Sequence, residues 1–510
     1  MKARQSCRAS CGAKFPCVLK GAATAATALF ASNLLAGPGD LASCTNLTSL
    51  QIPNTTIMSA VYVAPTSALP GYCQVLATVL PQTDIEVRLP DNWEDRYLHF
   101  GGGGFDGRIP NLNSPPMSSG NPLTKGFAVV GSNGGHRAAS FPGASFSTDK
   151  TLTLNYASGA LQESDLVGKA AVNAYYGEPA KFRYFAGCSN GGKNASVAMS
   201  VLGDDYDGVV AGDGVYGHSD EDTGGSDMSG LTAAWARAQQ QVPISAAKGA
   251  LVYQAQLAAC DADDGIADGI IANPEACHFN PAALRCSGAS NEGCLTDAEI
   301  LAVNTIRSDL KDSDGRVVGA PYALGNPAQA APSTGGLSAG FLAMAFRVPA
   351  FDPKTFNQSR DFPTVTKVLD GVYGMSGSLD GIVRYLRKGK KLIVYHGWDD
   401  MLVQPYVSTR LHASLNNRAG KKDAANARVY MFPGMGHCIG GVGADSADLL
   451  SGIVNWVEDG VAPDDSLVAA KLDSARNVIF TRPLCAYPGS YVYFKGDPND
   501  ASSYKCKKRN

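Results

Sequence analysis

Gly187-Cys188-Ser189-Asn190-Gly191 is the stretch of the chain whose residue types and spacing most directly imply chemistry. A serine between two glycines at this spacing fits a sharp strand-to-helix turn that lifts its hydroxyl above a sheet, small neighbours letting the backbone pass closely. The flanks agree, since Phe182 to Ala186 reads as a strand and Lys193 to Leu202 as a helix. A hydroxyl is a weak nucleophile unless a base takes its proton, so a histidine has to follow, oriented by a carboxylate. Of the seven histidines, His437 is best placed: the strand Val429 to Phe432 runs into Pro433-Gly434-Met435-Gly436-His437-Cys438, a glycine-rich loop that can present it at a sheet edge. The strand Leu392 to Tyr395 runs likewise into His396-Gly397-Trp398-Asp399-Asp400. Adjacent loop residues point in different directions, and spacing alone does not choose between Asp399 and Asp400.

Acyl transfer through such a serine also needs two N–H donors aimed at the developing oxyanion. Asn190, directly after the serine, supplies one. The other is expected from Phe100-Gly101-Gly102-Gly103-Gly104-Phe105, where missing side chains let backbone N–H groups approach a substrate. A second constellation is the acidic run Asp261-Ala262-Asp263-Asp264-Gly265-Ile266-Ala267-Asp268-Gly269-Ile270. Carboxylates this dense repel one another unless a hard cation such as Ca²⁺ accepts their oxygens, although the spacing is not that of an EF-hand.

Positioning these groups requires a sheet. Strands expected at Tyr97 to Phe100, Phe127 to Gly131, Phe182 to Ala186, Leu392 to Tyr395 and Val429 to Phe432 are largely apolar rather than strictly alternating, which fits a parallel sheet buried on both faces. At 510 residues the chain exceeds one minimal core. Between Asp213 and Lys388 the pattern changes to Gly, Ser, Pro and Ala-rich loops with four cysteines and the acidic run. The expected fold class is therefore α/β, with residues 43–212 and 389–510 forming the catalytic domain and 213–388 a large inserted lid. Residues 1–42 read as an export leader, basic and then apolar but short for a bilayer span. Thirteen cysteines less the leader's three leave ten, an even number that predicts five disulfides in an exported protein. The net charge of −3 offers no basic field for nucleic acid, and no stable membrane insertion is expected.

Together, Gly-Cys-Ser-Asn-Gly-Gly at 187–192, Tyr-His-Gly-Trp-Asp-Asp at 395–400 and Pro-Gly-Met-Gly-His-Cys at 433–438 resemble the tannase and feruloyl esterase family, which includes the mono(2-hydroxyethyl) terephthalate hydrolases. The resemblance spans the mature chain. It implies an α/β-hydrolase fold and a secreted serine esterase acting on a small aromatic ester of feruloyl type, with galloyl esters or terephthalate monoesters as alternatives. It selects Asp400 to complete a triad with Ser189 and His437, and Gly104 and Asn190 as oxyanion donors. It implies a structural Ca²⁺ held by Asp261, Asp264 and Asp268 with backbone oxygens of Ile266 and Ile270. It further implies the pairs Cys188 with Cys438, Cys44 with Cys73, Cys260 with Cys277, Cys286 with Cys294, and Cys485 with Cys506. A non-catalytic secreted binding module is the rival from another class, but it would expect a damaged triad. Phe341, Phe346, Phe351 and Phe356 are candidates for an aromatic wall in the lid, with ordinary lid packing the simpler account.

Overall fold

Strands buried on both faces have to be apolar at successive positions, because each face needs its own core. In the computed structural model, which describes residues 41–114, 117–139, 144–217, 227–325, 335–465 and 467–508, the central strands behave in this way. The first seven are β1 (Thr55–Val63), β2 (Tyr72–Val79), β3 (Thr83–Pro90), β4 (Arg96–Phe100), β5 (Phe127–Ser132), β6 (Phe182–Cys188) and β7 (Gly208–Gly212). A small hairpin, β8 (Leu310–Lys311) and β9 (Val317–Gly319), precedes β10 (Lys391–Gly397) and β11 (Ala427–Phe432). Leu392 and Val394 of β10 enter one core while Ile393 and Tyr395 enter the other. Ala128 and Val130 of β5 part from Phe127 and Val129 in the same manner.

One nine-stranded sheet results, in the order β1-β2-β3-β5-β4-β6-β7-β10-β11. From β5 to β11 neighbouring strands are parallel, while β1, β2 and β3 join antiparallel. All five strands expected from the apolar runs lie in the parallel part. This is the α/β-hydrolase architecture. The three antiparallel strands have no counterpart among the expected ones: β2 and β3 alternate buried with half-buried positions, so they carry no continuous apolar run.

Between β7 and β10 the chain leaves the sheet and forms, among others, the helices Met228–Gln239, Ala246–Cys260, Asp297–Ile306 and Gly335–Phe346. The last helix before β10, Leu379–Arg387, lies inside the boundary expected for the insertion, yet it packs on the helix that follows Ser189. A Cβ on Gly381 would meet Ser200 at 2.4 Å, and the Ser378 N–H donates to Ser200 Oγ at 3.0 Å. After β11 the chain ends in two small hairpins, whose Cys485, Tyr491 and Tyr504 cluster with Ala272 and Ile266 of the acidic segment.

All ten cysteines beyond the leader are paired, in the five combinations the resemblance implied. The expected leader falls almost wholly on residues outside the described ones. Among the described residues no helix is long and apolar enough to cross a membrane.

Candidate active site

Ser189 sits where β6 gives way to the helix Asn190–Val201, with φ 63° and ψ −119°. An L-residue tolerates that conformation only where its surroundings enforce it. Here the glycines do so. A Cβ on Gly187 would meet the Gly191 carbonyl at 2.6 Å, and one on Gly192 would meet the Gly212 carbonyl at 2.1 Å. The Ser189 N–H donates to Gly212 O at 2.9 Å, and its carbonyl accepts from Lys193 N at 3.0 Å, starting the helix. The glycine loop after β4 comes equally close, since a Cβ on Gly101 would lie 2.6 Å from Gly191 Cα. The run of glycines thus lets two backbones touch, and only Gly104, with φ 56°, needs the left-handed region.

Asp400 and His437 are brought together from β10 and β11. His437 Nδ1 lies 2.7 Å from Asp400 Oδ2, while Oδ1 of the same carboxylate accepts the N–H groups of Leu402 at 2.7 Å and Val403 at 3.0 Å. Asp399, the neighbour that spacing could not exclude, is buried with its carboxylate against Gly325. Burial opposes charge on His437, but the Asp400 anion outweighs it and raises the imidazole pKa. Burial would likewise raise Asp400, and the two histidines beside it, His437 and His396, hold it well below the usual carboxylate range instead. The buried His437 Nε2 has no hydrogen-bond partner among the described residues, and Ser189 and His437 line one cleft. The Cys188–Cys438 disulfide, Cα to Cα 5.9 Å, joins the neighbours of the serine and the histidine.

Beneath the pair lies a carboxylate that motif reading did not reveal. Asp213 follows β7, is wholly buried at φ 44°, accepts the Gly397 N–H at 3.0 Å and stands 3.6 Å from His396 Nε2. Burial pushes it up to about 7, with His396 opposing and Asp400 reinforcing the shift. On the other flank Asn190 donates its side-chain amide to Asp106, which is buried with Lys193 nearby. Burial raises the Asp106 carboxyl and lowers the Lys193 ammonium, and each charge moderates the shift of the other.

Two spaces meet at Ser189. A pocket is walled chiefly by Met228, Leu231, Trp235, Leu337, Phe341 and Val403, with Tyr156, Lys193, Gly104, Ser189 and Asn190 also lining it. The Trp235 indole N–H is engaged by Leu402 O at 2.6 Å. An open cleft of about 2220 Å³ is lined by Gly101 to Gly104, Ser189 and His437, and by Asn111, Ser114, Ser118, Ser446 and Arg476. Of the four spaced phenylalanines only Phe341 faces the pocket. Phe346 and Phe351 stack on each other with ring centroids 5.0 Å apart, and Phe356 is buried in the core.

The acidic run is a tight loop. Asp261 accepts the N–H groups of Asp268, Gly269 and Ile270 at 3.0 to 3.2 Å, Asp264 accepts that of Ile266 at 3.1 Å, and Asp268 pairs with Arg482. Asp264 Oδ2 is buried without a partner, and its carboxyl is pushed up to about 7, by burial first and by the charges of Asp268 and Asp261 next.

Sheet, elbow and the convergence of serine, histidine and carboxylate define a hydrolase of the α/β type. The model of the family described as tannase and feruloyl esterase matches residues 69–333 and 330–507. The chain belongs to that family and is a carboxylic ester hydrolase. An uncharacterized esterase of Xanthomonas campestris is 31% identical, the match covering 91% of both chains. The mono(2-hydroxyethyl) terephthalate hydrolase of Piscinibacter sakaiensis is 29% identical over 87% of this chain and 86% of its own. The crystal structure of feruloyl esterase B from Aspergillus oryzae superposes with a TM-score of 0.79 at 24% identity, covering 92% of this chain and all of that one. At that identity the likeness speaks for the fold.

Proposed function

We propose that this esterase hydrolyses esters of aromatic acids, feruloyl type foremost, through an acyl-enzyme on Ser189, and that it works outside the cytosol. In this reading His437 Nε2 takes the proton of Ser189 Oγ as that oxygen adds to the ester carbonyl. Gly104 and Asn190 N–H groups face the oxyanion, and Asp400 orients the imidazole. His437 then returns the proton to the departing alcohol as the ester C–O bond breaks, and water releases the acid by the same steps in reverse order. Because the proton goes to the leaving oxygen, the alcohol belongs on the His437 side. His437 lines only the open cleft, so the acyl group belongs in the apolar pocket. Trp235 and Phe341 in that pocket carry the substrate assignment. Its wall is mostly apolar, its indole N–H and the Tyr156 hydroxyl are engaged, and Lys193 is its one charged side chain among the described residues, so a ring bearing three hydroxyls or a carboxylate would be buried with most of its polar groups unpaired, at a cost of about 1–3 kcal/mol each. That disfavours galloyl and terephthalate acyl groups against a feruloyl one.

The test compares methyl ferulate, methyl gallate and the terephthalate monoester with the wild type, and burst kinetics on an activated aryl ester with Ser189→Ala. The expected outcome is highest kcat/KM on ferulate, and a burst that vanishes in Ser189→Ala with at least about a 10⁴-fold fall in kcat. An unchanged burst would refute the nucleophile. A galloyl preference would refute the pocket assignment.

Export is supported by the composition of residues 1–42 and by five disulfides, which persist in oxidising compartments. A structural Ca²⁺ fits the acidic loop through the unpartnered Asp264 oxygen, with Asp261, Asp268 and the carbonyls of Ile266 and Ile270 completing the donors. It would order the insertion and take no part in the reaction, since none of these residues lines the pocket or the cleft.

A further inference from the structure

Two backbone donors on separate loops serve catalysis only if their spacing is set before the substrate arrives. Gly104 lies on the loop after β4 and Asn190 opens the helix after β6, so some group has to hold one to the other. Between the helices Lys150–Leu154 and Ala160–Tyr176 the chain makes a single π-turn, Asn155–Gly159, an irregularity that is frequent at functional sites. The turn carries Tyr156, which is 3% exposed, its ring packed among Phe105, Phe146 and Phe341. The hydroxyl lies 2.9 Å from the Gly104 carbonyl oxygen and 2.9 Å from Asn190 Oδ1. Both are acceptors, so one phenolic proton serves the two loops together.

The far end of the Asn190 side chain is fixed as well. Its amide nitrogen donates to Asp106, so the amide oxygen must face Tyr156. Asp106 is buried in space that Gly102 and Gly134 leave open, since Cβ atoms there would meet its carboxylate oxygen at 2.6 and 2.4 Å. Lys193 closes the group from below, its ammonium 4.4 Å from the Tyr156 ring centroid.

We propose that Tyr156 is a positioning residue of the oxyanion site, its hydroxyl tying Gly104 to Asn190 so that their N–H groups are preset for the tetrahedral intermediate. The proposal rests on the roles given above to Ser189, Gly104 and Asn190. Tyr156→Phe keeps the packed ring and removes the tie. On methyl ferulate kcat should fall about 10- to 100-fold, below the loss from deleting a whole donor, while KM stays within about 2-fold. Affinity for phenylboronic acid, which adds to the serine as a tetrahedral adduct, should fall by a similar factor, and inhibition by the product ferulate should not change. Asn190→Ala keeps the backbone N–H but deletes both the acceptor and the amide that donates to Asp106, so it should lose at least that factor, and adding Tyr156→Phe to it should cause no further loss.

A kcat and boronate affinity like the wild type in Tyr156→Phe, with Ser189→Ala inactive, overturns the role of Tyr156 alone. Activity surviving in Ser189→Ala overturns the reading beneath it. Equal losses in boronate and ferulate affinity, or additive losses in the double variant, would reduce Tyr156 to general packing and overturn the proposal as well. If Tyr156→Phe does not fold, Asn190→Ala decides by the same boronate-to-ferulate comparison.

Discussion

The acyl pocket and the open cleft meet at Gly104, Ser189, Leu337 and Leu402 and otherwise have separate linings. The pocket takes half of its wall from the insertion, chiefly Met228, Leu231 and Trp235 on one helix and Leu337 and Phe341 on another, and the rest from the core, Tyr156 and Lys193 included. The cleft takes its lining largely from loops that return to the sheet, 101–118 and 437–446, and from the turn bearing Arg476. One space is apolar and small, so it discriminates by shape. The other is wide and of mixed lining, largely apolar with scattered polar groups such as Asn111, Ser114, Ser118 and Arg476, so it holds its occupant by contacts that are individually weak. The difference assigns selectivity for the acid to the insertion and tolerance for the alcohol to the core.

The strongest way to break this comparison is to fill the pocket. Leu231→Trp should cut kcat/KM on methyl ferulate by about 100-fold and change p-nitrophenyl acetate, whose acyl group needs no pocket, by no more than about 3-fold. Equal losses on both esters would mean that the acyl group does not occupy that space. A smaller effect is expected from the acidic loop, which belongs to the insertion. Chelation by EGTA should lower the thermal midpoint by about 2–4 °C, and added Ca²⁺ should restore it, reflecting roughly 2–4 kcal/mol in a chain of this size. A midpoint indifferent to both would remove the ion. The smallest effect belongs to the cleft. Arg476→Ala, exposed at the turn, should lower kcat/KM by about 2- to 5-fold on a feruloyl ester of an acidic sugar and leave methyl ferulate unchanged, as exposed ion pairs contribute little.

How much of this was legible in the sequence follows from distance along the chain. Ser189, Asp400 and His437 each end a strand within a contiguous motif, so strand, turn and chemistry could be read together. Their convergence is a property of the parallel sheet, which the apolar runs also announced. Asp213, Asp106, Lys193 and Tyr156 were not legible, because each gains its meaning from a partner on another segment: Tyr156 touches Asn190 across 34 positions and Asp106 reaches it across 84. The pocket wall was hidden for a related reason. Trp235 and Leu231 sit on a helix whose burial looks in the sequence like ordinary core, and of the four evenly spaced phenylalanines, for which ordinary lid packing is the simpler account, one faces the pocket. The strands β2 and β3 escaped because buried and partly exposed positions alternate along them, and β1 because it buries little beyond Ala60.

The backbone contact between Gly101 and Gly191 bears on how such an enzyme changes over generations. Around the serine, positions 101, 187, 191 and 192 admit no side chain, since even one carbon would strike backbone at 2.1 to 2.9 Å. Backbone cannot retreat as a flexible side chain can, so mutation there is closed in every direction. The pocket wall is made of side chains on helices that never enter the sheet, and volume-preserving exchanges among such residues cost little. Variation is therefore channelled into the insertion, where it alters which acid is accepted, while the reaction itself is passed on intact.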